Sequence, residues 1–410
     1  MRHFTITPRA CVALLSVGLL ACGSGGNSDS GDSGAGAGSG SGGGGTGSSS
    51  SSGGQGGVGG SGGSPGAEGT AVFVAQGHAG RTIVSCDDGH TWVANHSDDD
   101  SKICFTGDVD CDHDPGAGRG IAFGQGYFVA TFGWGAPGSV RRSKNGVDWE
   151  NTLEGQNFAG VAFGADTFML GGGSPLLSKD MAVTWQPGGD VDSVQGNVRR
   201  SGFAAHDGGR FVLALDGSTG NDINVSSDLG VTWKRPTTLP AACAGAMQWS
   251  GGIEYGNGVM LIVGGNGSAC RSTDGGDTWI EASVGGEVDA QLLWTGTEFV
   301  TWGRTGDGTV ALFRSSDGAA WTTTPTVVRR QNDDGTTSES PGPNVGAVGR
   351  SDAGTFVAVR GGWQEWYDLQ EFYRSTDGIT WDALPSDAYV GSHPIQFIAF
   401  GRVDPGVTCP

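Results

Sequence analysis

Ser85-Cys86-Asp87-Asp88-Gly89-His90-Thr91-Trp92 is one of seven copies of a single local pattern in this chain. The others are SKNGVDW from Ser143, SKDMAVTW from Ser178, SSDLGVTW from Ser226, STDGGDTW from Ser272, SSDGAAW from Ser315 and STDGITW from Ser375. Short polar side chains such as Ser and Asp hydrogen-bond nearby backbone groups and close a tight turn, and Gly supplies a positive φ without a Cβ clash. The Trp then opens a strand and buries its ring beside the turn. Four copies hold eight residues and three hold seven, with Asn145 and Ala182 as single departures, and the spacing from Trp to Trp runs from 36 to 60 residues.

Outward from these turns a second pattern recurs, in GIAFGQGYFVATF from Gly120, GVAFGADTFMLGG from Gly160, GFAAHDGGRFVLAL from Gly202 and GIEYGNGVMLIVGG from Gly252. LLWTGTEFVTWG from Leu292 and AVGRSDAGTFVAV from Ala347 continue it. Each is a short apolar run, a turn with Gly or Asp, and a second apolar run, which is a hairpin signature. With the strand before each turn motif and the one begun by its Trp, every unit has four antiparallel strands. Seven units of about 49 residues over Thr70 to Pro410 predict an all-β chain, a seven-bladed β-propeller of four-stranded antiparallel blades. Unit one starts at Ala71 without an inner strand, and Ile395 to Gly401 is an unpaired apolar run at the other end, so the C-terminal strand is expected to close blade one and leave no open inner edge.

The motif resembles the Asp-box, or bacterial neuraminidase repeat, S-x-D-x-G-x-T-W, found in sialidases, xyloglucan hydrolases, sorting receptors and photosystem assembly factors. The resemblance implies a sialidase-like or sortilin-like propeller and gives Asp87, Asn145, Asp180, Asp228, Asp274, Asp317 and Asp377 a structural role. It stops at the boxes. Sialidases carry a Phe/Tyr-Arg-Ile-Pro motif and three arginines that grip the substrate carboxylate, and no such tetrapeptide occurs here. The recurring Arg142, Arg271, Arg314 and Arg374 each precede a box Ser and belong to the repeat.

Composition sets the address and excludes several classes. The 410 residues hold 80 Gly, and 23 Lys+Arg against 43 Asp+Glu leave a formal charge of −20. That balance lacks the positive footprint of nucleic-acid binding. Residues 1–21 read as a secretory signal, with Arg2 and Arg9 ahead of an apolar core too short to span a bilayer. Leu19-Leu20-Ala21-Cys22 resembles the bacterial lipobox, which makes Cys22 the lipidated first residue, and Gly23 after it implies sorting to the outer membrane. Residues 22–69 form a Gly/Ser tether, 23 Gly and 13 Ser from Gly23 to Gly69, with too little apolar surface to offset ordering and a reach of about 35–40 Å.

In a four-stranded meander the two hairpin turns of each unit fall on one face and the remaining connections on the other. Every long insertion belongs to the second face: Val93 to Arg119, Gln186 to Ser201, Lys234 to Gly251, Thr322 to Asn344 and Gly361 to Gln370. Loops on a rigid frame usually carry function. Within Gly361 to Tyr373, Trp363, Trp366 and Tyr367 stand beside Glu365, Asp368 and Glu371, a set suited to stacking on and hydrogen-bonding a sugar ring or a peptide side chain. Packing over a neighbouring blade is the alternative for these rings. Asp108, Asp110, Asp112 and Asp114 alternate as in part of a calcium loop. They lack its central Gly and distant Glu, so a solvated acidic loop is the expectation. Six cysteines remain in the exported domain, and the topology pairs Cys86 with Cys409, Cys243 with Cys270, and Cys104 with Cys111. The sequence thus predicts a membrane-tethered monomer without cofactor, a non-catalytic module that binds a protein or glycan partner. The alternative is a glycoside hydrolase with paired carboxylates.

Overall fold

The computed structural model describes residues 69–77, 80–96, 117–133, 138–154, 158, 160–171, 175–191, 201–206, 209–216, 222–243, 252–360, 371–389 and 395–407. All lie in the compact unit Ser51–Pro410. The signal segment, Cys22 and the tether up to residue 68 fall outside them.

The turn motifs form as local chemistry dictates. In the first, Ser85 Oγ donates to Asp87 Oδ1 (2.8 Å) and accepts from Gly89 N (2.9 Å), while Thr91 donates its amide to Oδ1 (2.9 Å) and its hydroxyl to Oδ2 (2.6 Å). The same scheme holds around Asp180, Asp228 and Asp274. The two motif lengths have a backbone cause. Eight-residue copies place two successive residues at positive φ, as Asp88 (59°) with Gly89 (89°), and their Ser Oγ accepts from the fourth residue on. Seven-residue copies use one, Gly146 (77°), Gly318 (72°) or Gly378 (70°), and the Ser accepts from the third.

Among the described residues the strands pair into seven sheets, antiparallel except for one parallel pairing in the seventh. Sheet one holds β1 (Thr70–Gly77), β2 (Thr82–Ser85) and β3 (Val93–His96), and sheet two holds β4 (Ala117–Gly124), β5 (Tyr127–Gly133), β6 (Ser139–Ser143) and β7 (Glu150–Glu154). Sheet three holds β8 (Val161–Gly164), β9 (Thr167–Leu170), β10 (Leu176–Ser178) and β11 (Gln186–Pro187), and sheet four β12 (Ser201–His206), β13 (Phe211–Asp216) and β14 (Asp222–Ser226). Sheet five is β15 (Gly252–Gly256), β16 (Val259–Val263), β17 (Ser268–Ser272) and β18 (Ile280–Ser283). In sheet six β19 (Gly286–Val288) and β20 (Leu293–Trp294) both pair β21 (Phe299–Thr305), followed by β22 (Val310–Ser315) and β23 (Thr322–Pro325). A hairpin, β24 (Val327–Gln331) and β25 (Thr337–Pro341), leads into sheet seven, β26 (Val345–Arg350), β27 (Phe356–Arg360), β28 (Phe372–Ser375) and β29 (Thr380–Ala383). The last strand, β30 (Ile395–Val403), returns to pair β1 with Phe400 opposite Phe73, and so completes four strands in sheet one.

Two features depart from the four-strand expectation. Six sheets have four or more strands, but sheet four has three, its outer edge reduced to the bridge Val225↔Lys234. Lys234 and Val225 exchange both hydrogen bonds (2.9 and 3.0 Å). The next bond of the ladder would need an N–H from the residue two further on, which is Pro236. The Thr322–Asn344 insertion, expected as a loop, instead forms the β24–β25 hairpin. It joins β29 in parallel, with Val327 opposite Thr380, and widens sheet seven to six strands.

Among the described residues, seven apolar cores lie between successive sheets. Val74 and Val84 pack with Ile121 and Phe128, Val140 with Phe168, and Met169 with Phe211. Ile223 packs with Ile262, Leu261 with Phe313, Trp302 with Tyr373, and Val357 with Phe73 and Trp92. The last of these joins sheet seven to sheet one and makes the set cyclic. Each turn motif is pressed onto the sheet before it. A Cβ at Gly146 would fall 2.5 Å from Val74, one at Gly230 2.7 Å from Leu177, and one at Gly276 2.7 Å from Val225. Gly89 sits in the same way on Val357 of sheet seven. Arginines tie the rim in the other direction. Arg142 donates to Met181 O (3.0 Å), Arg210 to Asp274 O (2.9 Å), and Arg374 to both the backbone and the carboxylate of Asp88 (2.9 and 2.7 Å). The arrangement is all-β and propeller-like.

Candidate functional site

Trp363, Glu365, Trp366, Tyr367 and Asp368 lie outside the described residues, as do Asp108, Asp110, Asp112 and Asp114. The foot of the aromatic insertion is described, and it is built from three directions. Glu371 Oε2 accepts from the hydroxyl of Tyr373 on β28 (2.5 Å) and from Arg330 Nη2 on β24 (2.9 Å). Arg330 Nη1 also reaches Ser340 Oγ on β25 at 3.4 Å. Tyr389 stacks on Phe372 with centroids 5.0 Å apart. Its hydroxyl is pushed above the ordinary tyrosine range by burial and then by the Glu371 charge. The hydrogen bond to Glu371 raises the Arg330 guanidinium further. Glu371 is therefore a clamp that fastens the inserted hairpin to β28.

A second polar cluster joins the connections of sheets six and seven. Asp289 Oδ2 is 3.8 Å from Arg304 Nε. In the amide orientation that satisfies both its ends, Asn344 donates to Asp289 Oδ2 (2.8 Å) and accepts from Arg304 (2.6 Å). Burial raises the Asp289 carboxyl, Arg304 pulls it back, and Glu287 adds to the rise. Gln291 then ties β30 and β26 together, donating to Gln396 O (3.1 Å) and accepting from Val348 N (3.4 Å).

Glu254 on β15 is a buried acid outside every motif named above. It lies opposite Leu261, and burial lifts its carboxyl well above the ordinary glutamate range. A signal for it does exist in the sequence. Gly252-Ile-Glu-Tyr-Gly256 repeats Gly120-Ile-Ala-Phe-Gly124 and Gly160-Val-Ala-Phe-Gly164 with Glu in place of Ala122 and Ala162. Because the folded pKa is the higher one, the folded state binds the extra proton. Stability from this group is full below the unfolded value and is lost as pH rises toward the folded value. Glu254→Gln is expected to flatten that decline and to stabilise the protein by about 1–3 kcal/mol at mildly alkaline pH. Urea midpoints of both proteins on either side of neutrality check it, and parallel pH profiles would refute it.

The turn-motif carboxylates behave oppositely. Asp180 is held down at about 2, chiefly by the Thr184 hydroxyl. Asp274 also sits at about 2, desolvation being outweighed by bonds from Thr278 and Ser272. Each of these carboxylates accepts three hydrogen bonds from its own turn and serves it. Their stabilisation is present above the ordinary carboxylate range and is lost as pH falls from about 4 toward 2. Cys243 and Cys270 form a disulfide with Cα atoms 5.5 Å apart, joining the connection after sheet four to β17. Cys86 is disulfide-bonded; Cys104, Cys111 and Cys409 lie outside the described residues. Among the described residues no group of His, Cys, Asp and Glu is placed to hold a metal ion, and no helix is long and apolar enough to cross a membrane.

No family model matches the chain, and no curated protein does. Solved structures do. The chain is similar to YCF48 from Cyanidioschyzon merolae, at 15% identity and a TM-score of 0.44 over 68% of this chain and 86% of that one. It is also similar to the GH74 enzyme of Niastella koreensis, at 18% identity and a TM-score of 0.37 over 65% of this chain and 38% of that one. A third match is TolB from Acinetobacter baumannii, at 12% identity and a TM-score of 0.36 over 64% and 62%.

Proposed function

We propose that the protein is a seven-bladed propeller of the Asp-box kind, carried on a lipid at Cys22 in the outer membrane, whose variable face binds a protein or glycan partner without catalysis. The seven shared cores and the seven turn motifs support the blade number, with the three-stranded sheet counted as blade four. The observation that carries the binding assignment is the inequality of the two faces. The turn-motif face is uniform, whereas the other carries every insertion, including a hairpin of its own bolted through Arg330 and Glu371 to the base of the Trp363–Asp368 segment. Trp363, Trp366 and Tyr367 in that segment are side chains of the kind that stack on sugar rings or apolar side chains.

Trp363→Ala and Trp366→Ala are the test. On a glycan array and in capture from cell-surface extracts, each is expected to weaken binding at least tenfold, as truncation of an aromatic anchor costs ~2 kcal/mol, with the melting temperature unchanged. Unaltered binding in both would remove this patch. Asp289 favours a second reading, a glycoside hydrolase, since a carboxyl raised by burial suits a general acid. Turnover of a polysaccharide or sialoside panel, abolished by Asp289→Asn or Glu365→Gln, would replace the binding assignment with that one.

A further inference from the structure

The chain contains three Asn-Gly pairs, at Asn145, Asn257 and Asn266, and the structure gives them unlike surroundings. Asn145 belongs to a turn motif. Its Oδ1 accepts from Ser143 Oγ (3.0 Å), Val147 N (2.9 Å) and Asp148 N (2.9 Å), and its Nδ2 donates to Asp148 (2.9 Å). The Gly146 amide is also engaged, on Ser143 Oγ at 2.9 Å. At Asn266 the side-chain oxygen accepts from Ser268 N (3.0 Å), and the Gly267 amide donates to Gly264 O (2.9 Å). Asn257 and Gly258 form the two-residue turn between β15 and β16, at φ 51° and 75°, both exposed. Among the described residues neither the Asn257 side chain nor the Gly258 amide has a hydrogen-bond partner, and nothing stands within 4 Å of where a Gly258 Cβ would be.

We propose that Asn257 is a site of spontaneous deamidation, set apart from the other two by this freedom. The Gly258 amide nitrogen gives up its proton and attacks Asn257 Cγ. The new N–Cγ bond forms as the Cγ–Nδ2 bond breaks, ammonia leaves with the transferred proton, and a five-membered imide remains. Water, the only co-reactant, opens the imide at one carbonyl or the other and leaves an aspartate or an isoaspartate at that position. The aspartate keeps the turn, since Asp tolerates the left-handed region. The isoaspartate lengthens the main chain by one methylene within a two-residue turn, between Gly256 and Val259. Either product adds a negative charge at the inner hairpin end of sheet five.

The test follows amide loss by peptide mapping of the folded protein held at mildly alkaline pH. The Asn257 peptide is expected to gain one mass unit and isoaspartate on the order of tenfold to a hundredfold faster than the Asn145 peptide, because hydrogen bonds that hold the Asn145 side chain and the Gly146 amide must break before attack. Denatured protein is expected to lose the contrast among the three. Asn257→Gln is expected to remove the fast component without changing the melting temperature. Conversion of Asn145 or Asn266 as fast as Asn257 in the folded protein would overturn the proposal. So would an Asn257 that stays amidated while the denatured chain converts.

Discussion

Deletion of residues 395–410 is expected to abolish cooperative unfolding. The segment supplies β30, which pairs β1 from Thr70 to Gly77. Its buried side chains feed two cores at once, Ile395, Ile398 and Phe400 with sheet seven and Ala399 and Val403 with sheet two. Arg402 further donates to Asp352 Oδ1 of sheet seven (3.0 Å). Burial of Ile395, Ile398, Phe400 and Val403 is worth roughly 1.5–3 kcal/mol each. Their loss, on the order of 6–12 kcal/mol, matches the whole stability of an ordinary domain, about 5–15 kcal/mol. The exposed edge of β1 would also invite aggregation. Circular dichroism and size-exclusion chromatography check the outcome. A truncated chain that melts as sharply and at the same temperature as the full one would mean that β30 closes nothing. Phe400→Ala provides a graded version, with an expected cost of about 3–5 kcal/mol.

Trp302→Ala is expected to cost about 3–5 kcal/mol. The ring is fully buried on β21 and meets Trp381 and Phe356 edge-on at 5.6 and 5.4 Å. Its Nε1 donates to Gly378 O at 2.7 Å, which fixes the turn motif of sheet seven on sheet six. Truncation opens a cavity and leaves that carbonyl without its donor, two losses that add. Trp302→Phe separates them, since it keeps most of the volume and removes only the donor, for about 1–2 kcal/mol. Chemical unfolding of both variants decides it, and equal midpoints for wild type and Trp302→Ala would sink the assignment.

What could be read in advance follows from distance along the chain. The turn motifs were legible because Ser85, Asp87, Gly89 and Thr91 satisfy one another within a few residues. The apolar hairpins were legible because a period of two is a local property. The parallel docking of β24 on β29 was not, since Val327 and Thr380 are 53 positions apart and nothing in a five-residue strand names its partner. Pro236 could have warned that sheet four lacks a full outer strand. The Arg330–Glu371 clamp depends on that same docking, so the sequence offered Glu371 as one acid among several near the aromatic segment. Glu254 stood out only by alignment with its sister units, where Ala122 and Ala162 mark the position as one that faces a packed neighbour.

The seating of each turn motif on the preceding sheet has a consequence for how such a chain changes size. A contact in which one unit's turn always enters its neighbour's back is head-to-tail, with no two-fold axis anywhere in it. The same kind of contact recurs from joint to joint, a motif turn seated on an apolar side chain of the unit before, while the side chains that receive it differ, Val74, Leu177, Val225 and Trp302 among them. Adding or losing a unit by duplication would leave the surviving joints chemically unaltered and would ask only for a small change of curvature at each. The one place where the circle knows its own circumference is the β1–β30 seam, where the two ends of a single polypeptide must meet in register. Membership in the ring is thus decided by topology at one point, where β30 pairs β1.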